Sequence, residues 1–356
     1  MVKFAVAALD IAPSRIAYAA YTGKAAEVLR KKGNPGACTL HKLLYDSLPL
    51  KDGGFYRKPK LRLDVDIVIV DEVSLVPKEM IDILLGHNVY VIFLGDPFQL
   101  PAIDKNQSHN LLDEPHIFLD QVMRQAAESE IIRLTMKIRA GEEIKHFKGE
   151  EVQVLRGNEL STGMMTWADQ IICATNKTRV VMNNQMRQVL GYQGDPKDGE
   201  KMICLRNYWD DFNIDGDSLV NGTTGTIHNP TSGVITLPRF IKTENHKIPV
   251  IISDFIPESG EPFELVNMDK TMIETGKKSL DWKASYQLSK VKSRIGDIEP
   301  REFAYGYCIT CWKAQGSEWD KVLAIEENFP FDKVEHSKFL YTACTRAKEK
   351  LVILKG

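Results

Sequence analysis

The stretch from Ile67 to Ile103, IVIVDEVSLVPKEMIDILLGHNVYVIFLGDPFQLPAI, constrains the fold more than any other part of the chain. Ile67–Val70 and Val89–Leu94 are short apolar runs rich in β-branched residues, the pattern of fully buried strands in a parallel sheet. Met80–Leu85 between them has helical spacing, so the stretch reads as strand, helix, strand and the class as α/β. Each strand ends in acid: Asp71 and Glu72 after the first, Asp96 after the second. In an open α/β sheet, ligands sit at the carboxyl ends of the strands. A carboxylate pair there suits a magnesium–nucleotide site. Asp71 can hold Mg²⁺ through water, because this ion prefers oxygen ligands and keeps several waters. Glu72 can orient or deprotonate an attacking water. Acids also end buried strands simply because they must face water, and Asp71–Glu72 alone leaves both readings open.

Two motifs in register narrow the choice. DEVS at 71–74 and GDPFQLP at 95–101 resemble motifs II and III of superfamily-1 helicases, in the RecD/Dda branch. The resemblance implies two RecA-like parallel-sheet domains with a nucleotide cleft between them, ATP with Mg²⁺ as fuel, and single-stranded DNA as the track. It places Gln99 at the nucleotide and Phe98 at the DNA.

Composition agrees with such a machine and excludes others. A chain of 356 residues, 43% hydrophobic, can bury two or three cores. No apolar run approaches the ~20 residues needed to cross a bilayer, so no membrane partner is expected; the resemblance implies a cytoplasmic protein, bacterial or phage-encoded. The first residues, MVKFAVAALDIAPSR, begin like a secretory signal, but Asp10 interrupts the apolar run, and a buried helix over Val2–Ala8 is expected instead. The net charge of −2 gives no global basic field, so any nucleic-acid contact needs a local groove. Of the six cysteines only Cys308 and Cys311 are close, with no second CxxC or CxxH pair to complete a zinc site. They read as structural thiols in an apolar strand.

Arg15–Ala20 reads as a strand, and the helix after Thr22 runs to about Lys32 with Gly33 as its stop. Gly23-Lys24 is not a phosphate loop. GxxxxGK[ST] needs a glycine where Tyr18 stands and a hydroxyl where Ala25 stands. TGKAA at 22–26 and TLHKLL at 39–44 instead resemble motif Ia and the segment after it, which implies single-strand contacts from Thr22, Lys24 and His41. No GxxxxGK[ST] occurs anywhere. In the family that loop directly precedes a helix like the one expected at Val2–Leu9, so an N-terminally truncated chain, lacking the phosphate-loop strand of its first domain, is expected. A loop supplied by another polypeptide and a relic without ATPase activity are the alternatives. Ser47–Leu63, with Gly53-Gly54, reads as a surface hairpin that the family uses as a duplex wedge. Phe55 and Tyr56 either stack on a base there or decorate an ordinary turn.

Ile131, Leu134 and Ile138 lie on one helical face, and Arg124-Gln125 before them resembles motif IV, whose arginine reaches the γ-phosphate. The resemblance divides the chain into 1–148 (with the hairpin at about 46–63), a second RecA-like domain from 149–226 plus 300–356, and a β-rich SH3-like insertion at 227–299. In the second domain, strand IICA runs into Thr175-Asn176, which the resemblance places on the DNA backbone unless Asn176 is a plain turn residue, and Val180–Leu190 is expected to be helical. The NGxxG hairpin at 221–225 uses glycine for turn geometry. Lys277–Arg294 either lines a DNA channel or is a solvated surface. WKAQGSE at 312–318 resembles motif V, although the family has histidine where Trp312 stands. Trp312 would stack on a base, Lys313 would pair with a phosphate, and Gln315, Gly316 and Glu318 would face the nucleotide. FLYTACTRAKEKLVIL at 339–354 resembles motif VI, with Arg346 as an arginine finger from the far domain. An ATP-dependent helicase on single strands and single/double-strand junctions follows, moving 5′ to 3′ as the branch usually does, in replication, recombination or repair beside other proteins of those pathways. A non-hydrolysing single-strand-binding module is the rival. A nuclease fits less well, since no carboxylate cluster lies beyond the nucleotide pair.

Overall fold

The apolar runs fold as parallel strands in two separate sheets. The computed structural model describes residues 11–49, 55–101, 109, 111–119, 129–214, 218–258, 260–328 and 332–356. The helix expected at Val2–Ala8, the Gly53-Gly54 turn, Arg124 and the side chains of Phe55 and Tyr56 lie outside the described residues.

The first part contains β1 (Ile16–Ala20), α1 (Gly23–Lys31), β2 (Cys38–Thr39), α2 (Leu40–Leu44), the hairpin β3 (Tyr45–Pro49) and β4 (Phe55–Pro59), β5 (Ile67–Asp71), α3 (Lys78–Leu85) and β6 (Tyr90–Phe93). Strands β2-β1-β5-β6 form one parallel sheet. Ile67–Val70 is buried on both faces, as its composition predicts. The run at Val89–Leu94 is not. Its strand covers only Tyr90–Phe93, is half-exposed, and leaves Tyr90 78% exposed. Among the described residues β6 is the last strand of the sheet, so a neighbour shields one side only. An apolar run reports a strand; its place in the sheet decides how much of it is buried.

The second part runs through α4 (Glu130–Arg139), β7 (Phe147–Lys148), β8 (Val152–Arg156), α5 (Thr162–Trp167), β9 (Gln170–Cys173) and α6 (Asn176–Val189). After β10 (Lys201–Cys204), β11 (Tyr208–Phe212), β12 (Ser218–Leu219), β13 (Thr224–Thr236), β14 (Lys247–Pro257), β15 (Phe263–Asp269), α7 (Lys270–Thr275), α8 (Trp282–Ile295) and β16 (Phe303–Tyr305), the chain returns to it. It closes with β17 (Cys308–Thr310), α9 (Cys311–Ala314), β18 (Trp319–Ile325), α10 (Lys333–Cys344) and β19 (Ala347–Lys355). The sheet order is β17-β9-β18-β19-β8-β7, parallel but for β7. Ile131, Leu134 and Ile138 of α4 are buried together, as their spacing predicts, in the core that also holds Leu100, Phe339 and Ile353. Helix α6 starts at Asn176, one turn earlier than the expected Val180. Thr175 caps it there, its Oγ1 accepting the Thr178 N–H at 3.2 Å.

Residues 227–299 hold more than strands. β13, β14 and β15 share an antiparallel sheet with β10 and β16 in the order β15-β14-β13-β10-β16, and helices α7 and α8 follow. The lysine-rich stretch is largely α8. Asp281 caps it by accepting the Ala284 N–H at 2.7 Å, and Ala284 and Leu288 are buried at one-turn spacing. Gly225 lies where β13 crosses β14. A Cβ there would stand 2.2 Å from the Ile256 carbonyl oxygen and 2.8 Å from Pro257 Cα, both backbone atoms. Gly225→Ala is therefore expected to lower unfolding free energy by about 1–3 kcal/mol in denaturant melts; an unchanged midpoint would show that β14 can yield.

Candidate nucleotide cleft

The two sheets meet where the acid-tipped end of β5 faces the C-terminal end of α10. Asp71 Oδ1 accepts the Glu72 N–H at 3.0 Å. Glu72 itself sits in the left-handed region, at φ 53° and ψ 46°. Few residues other than glycine hold that conformation, and such strain collects at functional sites. Burial pushes the carboxyls of both Asp71 and Glu72 up. At Glu72 the positive charge of Arg346 opposes the rise, while Asp71 and Asp96 add to it. Arg346, only 6% exposed, is aimed by its own helix end: Nε donates to the Thr342 carbonyl at 3.1 Å, and Nη2 to Thr345 Oγ1 at 3.1 Å.

Asp96–Pro101 forms the seam. Asp96 Oδ1 accepts the Phe98 N–H at 2.9 Å, folding the loop on itself. From the other side Tyr341 donates its hydroxyl to Asp96 Oδ2 at 2.7 Å, and the Leu100 N–H donates to Thr342 Oγ1 at 2.8 Å. Gln315 Nε2 donates to the Leu100 carbonyl at 2.9 Å, and Trp312 Nε1 to the Pro101 carbonyl at 3.1 Å. One loop of the first domain thus holds both α10 and the segment after β17. Tyr341 and Thr342 were not picked out from sequence, though they lie five and four residues before Arg346, on the helix that ends just ahead of it. Removing the hydroxyl in Tyr341→Phe is expected to cost about 1–3 kcal/mol by denaturant melt, because an Asp96 oxygen loses its partner. A loss under 0.5 kcal/mol (about half the usual net worth of one hydrogen bond) would mean water replaces it freely.

The side-chain oxygens of Ser74, Gln99 and Gln315 are buried without a partner. Buried polar atoms are almost always satisfied, so orphans here suit a polar ligand. One carboxylate plus ligand oxygens is a donor set Mg²⁺ accepts. Asp71 fits that role, and no group of three potential metal ligands occurs among the described residues. The lysine and hydroxyl of a phosphate loop have no counterpart in the sequence.

Residues 1–157 match the family described as AAA domain, and residues 305–354 that of the UvrD-like helicase C-terminal domain. The ATP-dependent RecD2 DNA helicase of Deinococcus radiodurans is 25% identical over 375 residues, covering 97% of this chain and 44% of its own. The chain is similar to the RecD-like superfamily-1 helicases. The RecBCD enzyme subunit RecD of Buchnera aphidicola is 24% identical, covering 89% of this chain and 58% of its own. The chain thus spans about half the length of these relatives. Its fold is that of the Pif1 helicase from Bacteroides in complex with ADP-AlF3 and ssDNA, at TM-score 0.53 and 16% identity over 97% of this chain and 83% of that one. The Pif1 helicase from Candida albicans aligns at 0.52 and 16% identity over 99% and 93%. Both likenesses establish two RecA-like domains.

Within this helicase fold the remaining motif residues separate into groups. Thr22 caps α1 through the Ala25 N–H at 3.1 Å, and Lys24 pairs with Glu27 at 3.4 Å. A Cβ on Gly23 would meet Val220 at 2.5 Å and one on Gly316 would meet Ala25 at 3.5 Å, so the start of α1 lies against the second domain. Lys313, whose ammonium pKa burial lowers, bonds Asn221 Oδ1 beside Val220. Thr22, Lys24, Gly316 and Lys313 are therefore brought together. His41 stacks on Tyr45 at a centroid distance of 6.0 Å, with the ring of Tyr21 tilted against it at 5.7 Å. One face of Phe98 is covered by Arg139, 3.7 Å above the ring. Glu318 is exposed and near Lys348. Thr175 is far from free: Glu327 accepts its N–H at 2.8 Å and its hydroxyl at 2.7 Å, and the Asn176 side chain serves Arg179 at 3.1 Å. No spacing in the sequence flags Glu327. Among the described residues no helix is long and apolar enough to cross a membrane.

Proposed function

We propose that this chain forms the motor pair of an ATP-dependent helicase that moves on single-stranded DNA at single/double-strand junctions. The observation that carries this is the shared cleft: Arg346, from the second domain, acts electrostatically on Glu72 of the first. ATP with Mg²⁺, when bound, supplies the anhydride whose cleavage drives the motor. Asp71 would hold the ion through water. Glu72, its carboxyl basicity raised by burial, would take the proton of the attacking water or orient it. Gln99 and Gln315 would give their orphaned oxygens to that water or to the nucleotide. Arg346 would neutralise charge developing on the phosphates, joined by Arg124. Thr22, Lys24 and Lys313 would grip the strand at the seam, with His41, Phe98, Trp312, Thr175 and Asn176 along its path. Glu318 would complete the nucleotide side. Closure would pull on Tyr341–Asp96 and Thr342–Leu100, coupling hydrolysis to movement of the track, 5′ to 3′ as in its branch, in a cytoplasmic repair or recombination setting. An SH3-like character for 227–299 belongs to this proposal.

The absence of GxxxxGK[ST] from the sequence favours one rival, single-strand binding without hydrolysis. Single-strand-stimulated ATP turnover separates them, measured on this chain and on the chain joined to any coding sequence in frame upstream. Turnover that vanishes with Glu72→Gln supports the motor. Strand binding with no turnover in either form assigns the binding module.

A further inference from the structure

Helix α8 has two faces with different work. Ala284 and Leu288 of its inner face are buried with Leu237, Ile241, Ile248 and Val250 of the β13–β14 hairpin. Its outer face carries Trp282 and Tyr286, one turn apart and 74% and 45% exposed. The spacing continues through Lys290 to Arg294, so rings and cations share one stripe. The helix, WKASYQLSKVKSRI, contains four cations and no carboxylate, in a chain of net charge −2. Lys292 pairs with Asp297 at 2.9 Å, but Lys283 and Lys290 turn to rings instead, 5.8 Å from Trp282 and 4.4 Å from Tyr286. Among the described residues no carboxylate within 4 Å is recorded for Lys283, Lys290 or Arg294.

The geometry points to α8 as a second contact for single-stranded nucleic acid, outside the motif-lined cleft, a proposal that rests on the single-strand reading above. Exposed aromatic rings interleaved with cations match a strand whose bases are unstacked and whose backbone is anionic. The rings lie about 6 Å apart along the helix axis, enough for each to take its own base. A membrane surface fits less well, because the apolar face that would enter lipid is already buried against the hairpin. A paired duplex hides the base faces that the rings would need. The position is distant from the motor seam. β13 starts beside that seam, at Thr224 and Gly225, and its residues near Ile235 pack towards α8. Ten residues of strand place the helix roughly 30 Å away. α8 would hold a strand as it leaves or approaches the cleft.

The test is fluorescence anisotropy of labelled oligo(dT) with the full chain. Trp282→Ala/Tyr286→Ala is expected to weaken binding of a 30-mer about a hundredfold, at about tenfold per ring. A 6-mer, which the cleft can hold alone, is expected to bind as before. Trp282→Phe restores most of the loss, because a ring remains. Lys290→Ala/Arg294→Ala is expected to flatten the salt dependence of 30-mer binding, by about 0.7 in log–log slope per lost contact. Both pairs lie on the surface, and a thermal melt confirms that folding is kept. Equal 30-mer binding by the aromatic variant and the unaltered chain overturns the proposal while leaving the motor reading intact. If the unaltered chain binds neither oligomer, the single-strand reading falls and takes α8 with it. Binding to phosphatidylserine vesicles that is lost in the aromatic variant, with 30-mer binding kept, would overturn it in favour of a lipid surface.

Discussion

Replacing Arg346 with alanine is expected to lower single-strand-stimulated ATP turnover by about 10³-fold or more, in the form of the protein that turns over. The argument is geometric. Arg346 is anchored by three acceptors at the end of α10 and in the loop before β18, namely the carbonyls of Thr342 and Ser317 and the Thr345 hydroxyl. Its charge already reaches Glu72. A guanidinium so held is pre-positioned, so it loses little on meeting a phosphate whose charge grows during cleavage. Lysine at this position is expected to recover only a small part, because it lacks the fork of donors. The readout is kcat at saturating DNA, together with nucleotide affinity. A loss confined to affinity would show that Arg346 serves binding alone, and unchanged turnover would remove it from the cleft's chemistry.

Glu72→Gln carries the second large effect, a fall of about 10²–10⁴-fold in kcat with strand binding retained. The same change is expected to raise thermal stability at neutral pH, for a separate reason. Burial lifts the Glu72 carboxyl above its ordinary value of 4.5, helped by Asp71 and Asp96. The ionised form is thus worse off folded than unfolded. Below the ordinary value both states are protonated and the group costs nothing. As pH rises from 4.5 through the raised folded value, the unfolded state ionises first and stability is lost. Above that window the penalty is complete. Glutamine removes it, so the variant's advantage is expected to appear near pH 7 and to close below pH 4, where both forms are neutral (about the ordinary glutamate value). Equal melting temperatures at pH 7 would mean that Arg346 already compensates the buried charge in full.

Local chemistry was legible along the chain. The acids closing β5, the helix that Gly33 stops and the buried face of α4 depend on spacing and on neighbours within a few residues, which a linear sequence displays directly. The resemblance carried by the motifs likewise implied two RecA-like domains. Side-chain partners across the chain were not legible. Thr175 is held by Glu327, 152 residues away, and Asp96 by Tyr341, 245 residues away, because hydrogen bonds act over about 3 Å in space whatever the separation along the chain. Burial of the Val89–Leu94 run was misread for the same reason: β-branched residues favour a strand, but only the sheet decides which strand stands at its edge. The lysine-rich stretch shows the division most clearly. Its composition left both a solvated surface and a nucleic-acid contact open, the solvated surface favoured. Folding then buried Ala284 and Leu288 and left Trp282, Tyr286 and Arg294 exposed with Lys290 half-buried between them, since helical periodicity sorts residues by face and only the hairpin beneath determines which face is covered.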